Sequence, residues 1–251
     1  MTNNVQTHAA PAALRIVSGN DVYADILSQA FSGELVGMQN YASMAALYPD
    51  IEGQVLAVEH ADNERRHALA FRAAARDLGV AIIENPSAPY WARVREAFLR
   101  QVRAGDLLAC LIVQETMLES FAVSLYQAVA DVTPGKLGDV FRAVARDEQE
   151  HLDHSVATLR GAFLAAPEDF EAKAERVHDE VMTVLAEMVS ARDTAGHCGL
   201  CRDTCVKESL PTIGLSAPGL RGAALQLYLR TLDRIGVRGD KSLRWVANLP
   251  V

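Results

Sequence analysis

A chain of 251 residues, half of them hydrophobic and only 6% aromatic, is long enough to bury one substantial core, and its prolines fall between apolar-periodic stretches instead of inside them. A net charge of -8 excludes a nucleic-acid backbone or an anionic membrane as the main partner, since either needs a dense basic surface. Four cysteines are too few for a disulfide scaffold of this length, and neither a charged-then-apolar leader nor a run of about 18 uncharged apolar residues occurs, so the expectation is a soluble, cytoplasmic, all-α protein.

Residues 1–20 read as a flexible N-terminus. Asn20 and Asp21 then cap a predicted helix running to about Leu47, and Pro49-Asp50 turns the chain into a second, antiparallel one from Ile51 to Leu78. A connection holding Pro86 and Pro89 leads to a third helical stretch from about Tyr90 to Val129, bent near Gly105 because glycine weakens a helix interior. Thr133-Pro134-Gly135 ends it. A fourth helix is predicted from Leu137 to Leu164, a fifth from Asp169 to Arg192, then a short cysteine-bearing segment, a helix from Leu220 to Gly236 and a tail with one short turn. The whole is read as a single domain over 21–251, with a bundle core at 21–165 and C-terminal helices over 168–251.

An internal repeat runs through this core. Glu34 is followed by Tyr41 and Glu119 by Tyr126, two helical turns on and therefore on the same face. The second helix carries Glu64-Arg-Arg-His67 and the fourth Glu148-Gln-Glu-His151. Lone glutamate and Glu-x-x-His are 30 residues apart in the first half (34 to 64) and 29 in the second (119 to 148). One helical hairpin is used twice.

Residues at i and i+3 share a helix face, so each Glu-x-x-His offers an oxygen and a nitrogen to one point, and the two lone glutamates complete a set of four carboxylates and two imidazoles. Carboxylates bridge hard cations and cancel their charge while each histidine holds one, which is the ligand inventory of a ferritin-like four-helix bundle with two iron ions; manganese is a possible substitute. Buried without a cation, that many acids would be very costly. Glu115 and Glu119 compete for one place, and hairpin height decides. Glu119 and Glu148 stand about equally far from Thr133-Pro134, whereas Glu115 lies roughly 6 Å further down the axis. Glu115 is left as a nearby base or an extra ligand. Asp147 and Asn63 precede Glu148 and Glu64, where either accepts the outer N–H of the histidine on the opposing helix or stands as a surface carboxylate and amide. Tyr41 and Tyr126 are buried packing residues with a hydroxyl handle, and His60 and His154 are surface or structural. Gly33 and Gly37 flank Glu34 and leave room either for substrate or for close helix packing.

At SGELVGMQNY, NERRHALAF, LLACLIVQETMLESFAVSLY and RDEQEHL the chain resembles the aldehyde-deformylating oxygenases, ferritin-like enzymes that convert fatty aldehydes to hydrocarbons. The resemblance covers about residues 21–165 well and the rest loosely. It implies metal ligation by Glu34, Glu64, His67, Glu119, Glu148 and His151, and dioxygen as co-substrate. Glu115 stands where that family has a small apolar residue, placing a charge close to the presumed aldehyde channel. With the Ala/Arg-rich composition and the cysteines, this makes the chain similar to a branch that oxidises amine or hydroxylamine nitrogen, as in azoxy-bond formation of the valanimycin type in antibiotic biosynthesis.

Cys198, Cys201 and Cys205 are spaced i, i+3, i+7. Their readings are a reversible disulfide with a resolving third thiol that delivers electrons to the metals, a zinc site with His197, or no function. The expectation is an oxygen-dependent di-iron oxidoreductase acting on a small organic substrate by N-oxygenation. Its alternatives are aldehyde deformylation and, from another class, a ferritin-like iron-binding protein. Electrons come from a ferredoxin or flavoprotein reductase if not from the thiols; Arg65, Arg66, Arg72 and Arg76 are either its docking face or a solvated helix surface.

Overall fold

The turn signals of the sequence act locally as capping chemistry predicts. Asp50 accepts the backbone N–H of Gly53 at 2.7 Å and starts helix α2 (Ile51–Leu78), which ends on Gly79 in the left-handed conformation with φ 73°. The structure, a computed structural model, describes residues 19–190 and 206–250. Among these lie nine α-helices and no strand. Before α2 comes α1 (Gly19–Met44); after it come α3 (Pro89–Arg103), α4 (Leu107–Leu111), α5 (Glu119–Val132), α6 (Gly135–Ala165), α7 (Pro167–Ser190), α8 (Ala217–Ile235) and α9 (Gly239–Ala247).

Two departures from the expected elements matter. The stretch from Tyr90 to Val129 is not one bent helix. Gly105 adopts φ +69°, a conformation that ends α3, and Asp106 accepts the N–H of Ala109 at 3.1 Å to start α4. Lys173 of α7 bonds Asp106 and Arg176 approaches it at 3.4 Å, so the corner is pinned from outside. Second, α4 and α5 are joined without a break by a π-helical segment, Ile112–Leu118. The N–H of Glu119 donates to Gln114 C=O, five residues back, which places one more residue in the turn than an α-helix holds.

The closest helix pairs are α1 with α2 and α5 with α6, the two predicted hairpins, and α2 packs on α6 to join them. α3 and α7 cover one side, and α8 lies across α5 and α6. Burial divides into two apolar clusters, one containing Tyr41, Met44, Phe98 and Tyr228, the other Leu27, Phe71, Tyr126 and Phe141. The continuous rod Leu107–Val132 is long and apolar enough to cross a membrane, but 72% of its apolar window is buried inside the fold, the character of a core helix.

Candidate metal centre

Between the two clusters, Glu34 on α1, Glu64 and His67 on α2, Glu119 on α5, and Glu148 and His151 on α6 all turn inward and are buried. Their ligand atoms form two overlapping groups, each within 4.8 Å: Glu34, Glu64, His67 and Glu148, and Glu64, Glu119, Glu148 and His151. Glu64 and Glu148 belong to both. Two carboxylates common to two ligand groups are what two adjacent cations with bridging acids require.

The atoms present fit such cations. Glu34 Oε2, Glu64 Oε1, His67 Nδ1 and Glu148 Oε1 are buried without a hydrogen-bonding partner. His67 Nδ1 lies 2.7 Å from Glu148 Oε1 and 3.3 Å from Glu34 Oε2, close enough to attract, yet not aligned as hydrogen bonds. Burial, followed by the neighbouring carboxylates, pushes the Glu64 and Glu119 carboxyls well above their ordinary range. Burial alone would lower His67, but Glu148 and Glu34 outweigh it and raise the imidazole to about 11. A metal-free site must therefore hold protons where a cation would otherwise sit. Four orphaned lone-pair atoms among mutually repelling acids are a cost that two divalent ions would remove.

The surroundings orient these groups by crossed contacts between the repeats. Tyr126 donates to Glu34 Oε1, and Tyr41 donates to Glu119 Oε1 at 3.2 Å. Asp147 Oδ2 approaches His67 Nε2 at 3.4 Å, and the Asn63 amide faces His151 Nε2 at 3.0 Å. Each lies on the ring nitrogen turned away from the acids, so both Nδ1 atoms point inward. Asn63 differs from expectation in one respect: Arg66 takes its oxygen, so its nitrogen faces the ring. A further chain escaped sequence reasoning. Arg95 donates to Asn40 Oδ1 at 2.8 Å, Asn40 to Gln114 Oε1 at 2.8 Å, and Gln114 to Glu119 Oε1 at 3.1 Å. On an ideal α-helix Gln114 and Glu119 stand roughly 140° apart; the π-helical turn brings them together.

The same turn moves Glu115 away. It belongs to neither ligand group and does not line the cavity described below, contrary to the expectation that it flanks the substrate channel. It is buried facing Ser155 and His151, and burial first of all pushes its carboxyl up to about 7. His60 is buried, stacked on Tyr41 at a ring separation of 5.0 Å and tilted against His151 at 4.4 Å. Burial lowers its imidazole to about 3, which suits a neutral packing residue, while His154 is exposed. Arg65 and Arg66 pair with Asp62 on their own helix, the solvated-surface reading. Cys198, Cys201 and Cys205 lie outside the described residues.

A cavity of about 210 Å³ ends on the carboxylates of Glu34, Glu64 and Glu119. Ala30, Gly33 and Gly37 on one face of α1 leave the space, and Leu118, Phe121, Leu125, Leu185 and Met188 wall it. Its lining is chiefly apolar; Gln29 and Gln114 are its two amides, the latter bonded to Glu119 at 3.1 Å, and Asp25, Lys207 and Arg221 are its further charged side chains. At Gly37 an added Cβ would meet Glu64 Oε2 at 2.8 Å, whereas at Gly33 it would meet only the Trp91 ring at 3.5 Å. Substrate space and close packing both hold for this glycine pair.

Residues 18–212 match a family described as long-chain fatty aldehyde decarbonylase. Among solved structures, the chain is similar to a protein with aldehyde deformylating oxidase activity from Synechococcus, at 21% identity and a TM-score of 0.78 over 92% of this chain and 98% of that one.

Proposed function

The chain belongs to the long-chain fatty aldehyde decarbonylase family and is a ferritin-like di-iron oxygenase, and from that premise we propose that it removes the formyl carbon of an apolar aldehyde in a dioxygen-dependent reaction. What carries the reading is the apolar cavity that ends on Glu34, Glu64 and Glu119. N-oxygenation of an amine or hydroxylamine drew its support from a carboxylate beside the substrate. Glu115 does not line the cavity, so an aldehyde is preferred. An iron store has no use for an apolar passage to its metals.

Glu34, Glu64, His67, Glu119, Glu148 and His151 would hold two iron ions, with Glu64 and Glu148 shared. Such a pair, when bound, would supply Lewis acidity and pass electrons on to dioxygen two at a time, the four needed per turnover coming from an external reductant. The net change balances as R–CHO, dioxygen, four electrons and four protons giving R–H, formic acid and water. The chain's own contribution is placement. Leu118, Phe121 and Met188 bind the alkyl chain by taking it out of water, and each buried methylene contributes about 0.8 kcal/mol, roughly fourfold in binding. Tyr41, Tyr126 and Gln114 direct the carboxylates. The apolar walls keep bulk water from the reacting carbon.

Anaerobically reduced, iron-loaded protein is mixed with a series of aldehydes, a chemical reductant and isotopically labelled dioxygen, with a short-chain hydroxylamine in parallel. The expected products are the hydrocarbon one carbon shorter and formate carrying label, with KM falling as the chain lengthens until the cavity is full. Carbon monoxide in place of formate, or turnover of the hydroxylamine alone, rejects the proposal.

A further inference from the structure

The cavity that ends on the carboxylates has a second end, and it is charged. On α1 its lining descends through Gly37, Glu34, Gly33, Ala30, Gln29 and Asp25, which share one helix face, so the passage runs along α1 towards its N-terminus. From Glu34 to Asp25 it passes nine residues (34 to 25), roughly 13–14 Å of axis at ~1.5 Å each. There the 3₁₀-helical segment Val206–Ile213 packs on α1 and brings Lys207, and the first turns of α8 bring Arg221. The order along the passage is therefore acids, then hydrocarbon, then two cations with Asp25.

Both cations are built into the wall. Lys207 Nζ donates to Met188 C=O at 2.8 Å and to Val189 C=O at 2.9 Å in the last turn of α7, and both of those residues line the cavity. Arg221 donates to Pro250 C=O at 2.5 Å, and like Lys207 it is half-buried. Ammonium and guanidinium groups donate hydrogen bonds and accept none. A methyl group arriving at this end strips water from ions without replacing its bonds. An oxygen accepts what they donate.

We propose that the outer end recognises an oxygen terminus: the substrate is an aldehyde of bounded length whose far end carries a carboxylate or a hydroxyl, received by Lys207 and Arg221. The methylenes between its two ends are what the apolar wall takes up. An extended chain advances about 3.5 Å per three bonds, so the span to Asp25 takes roughly ten carbons. Shorter chains leave the terminus out of reach. The inference rests on the aldehyde reading for the reacting end, while recognition of the far end belongs to the cavity and needs no metal.

Binding is measured by calorimetry on the full, metal-free chain with unreactive probes: straight-chain primary alcohols, α,ω-diols, ω-hydroxycarboxylic acids and ω-amino alcohols, in lengths below and above that span. Lys207→Met and Arg221→Met are titrated in parallel. Once the chain reaches the span, the hydroxy acid, the diol or both are expected to bind at least about tenfold more tightly than the alcohol of equal length, as hydrogen bonds to a charged group allow. Each variant lowers that ratio, and whichever of acid and diol leads identifies the terminus. Short alcohols should bind all three proteins alike; a variant that loses them has lost the cavity, and the unaltered chain with the other variant then decides. Tightest binding by the methyl-ended alcohol at every length, a preference for the ammonium terminus, or a ratio unchanged in both variants overturns the proposal. Iron-loaded protein is then assayed with simple aldehydes, ω-hydroxy aldehydes and ω-oxo acids. Turnover of none of them rejects the aldehyde reading instead, and the metal-free binding ratio still decides the far end.

Discussion

Tyr126 on α5 donates its hydroxyl to Glu34 on α1, so the tyrosine of the second repeat serves the glutamate of the first. Tyr41 returns the contact to Glu119 at 3.2 Å, and Asp147 with His67 and Asn63 with His151 cross between α2 and α6 in the same manner. A site built from two copies of one hairpin is held together by bonds that neither copy makes alone.

Removing either hydroxyl should therefore cost the metals and not the fold. Tyr126→Phe and Tyr41→Phe each delete a hydrogen bond to a buried carboxylate, worth about 1.5–3 kcal/mol. Metal affinity, measured by competition with a chromophoric chelator, is expected to fall roughly tenfold or more in each. Unchanged affinity in both would show that the tyrosines only pack.

The shared carboxylates lead to a sharper stoichiometric expectation. Glu64 and Glu148 occur in both ligand groups, so the Glu64→Ala/Glu148→Ala variant should lose both metals, while Glu34→Ala or Glu119→Ala alone impairs one position. Metal analysis after anaerobic loading checks this. Two ions retained by the double variant would contradict the bridging roles.

Glycines separated by one turn should respond oppositely. Gly37→Ala places a Cβ 2.8 Å from Glu64 Oε2 and is expected to reduce metal content and turnover sharply; Gly33→Ala makes ordinary contact with Trp91 and should be tolerated. Paired assays of bound iron and aldehyde consumption distinguish them.

Acid stability has a local origin at the α3–α4 corner. Burial pushes the Asp106 carboxyl up, but Lys173, the Ala109 N–H and Arg176 outweigh this and hold it below the usual range. A depressed native value means the stabilisation is full above the ordinary aspartate pKa of about 3.9 and is lost as pH falls through the native value. Asp106→Ala should cost about 1 kcal/mol at neutral pH, as for loss of a helix cap, and flatten the acid limb of a urea-denaturation series. An unchanged acid limb would remove Asp106 from the account.

Much of this architecture was legible because it rests on short-range rules. Proline and glycine punctuation marked the hairpins, and helical periodicity placed Glu64 with His67 and Glu148 with His151 on common faces. Equal distance from Thr133-Pro134 sets Glu119, and not Glu115, level with Glu148, and Glu119 is the one that joins a ligand group. For Asp147 spacing leaves two readings, a partner of the opposing histidine or a surface carboxylate, and the structure sets it half exposed with Oδ2 3.4 Å from His67 Nε2.

What stayed hidden depends on one turn of π-helix. Under α-helical periodicity Glu115 shares the face of Glu119 and points at the substrate, and Gln114 points elsewhere. Segment Ile112–Leu118 reverses both assignments. No local propensity announces that extra residue, since the π-helical turn persists only where packing against neighbouring helices supports it.

Composition, capping residues and the twice-used hairpin by themselves determined an all-helical bundle and its inventory of acids and imidazoles, because these are properties of residues near one another in the chain. Tertiary structure decided which side chains face the cavity, which tyrosine holds which glutamate, and which charges gather at the cavity's outer end. Those outcomes depend on how four helices rotate against one another, and rotation is set by packing over the whole core, not by any one segment.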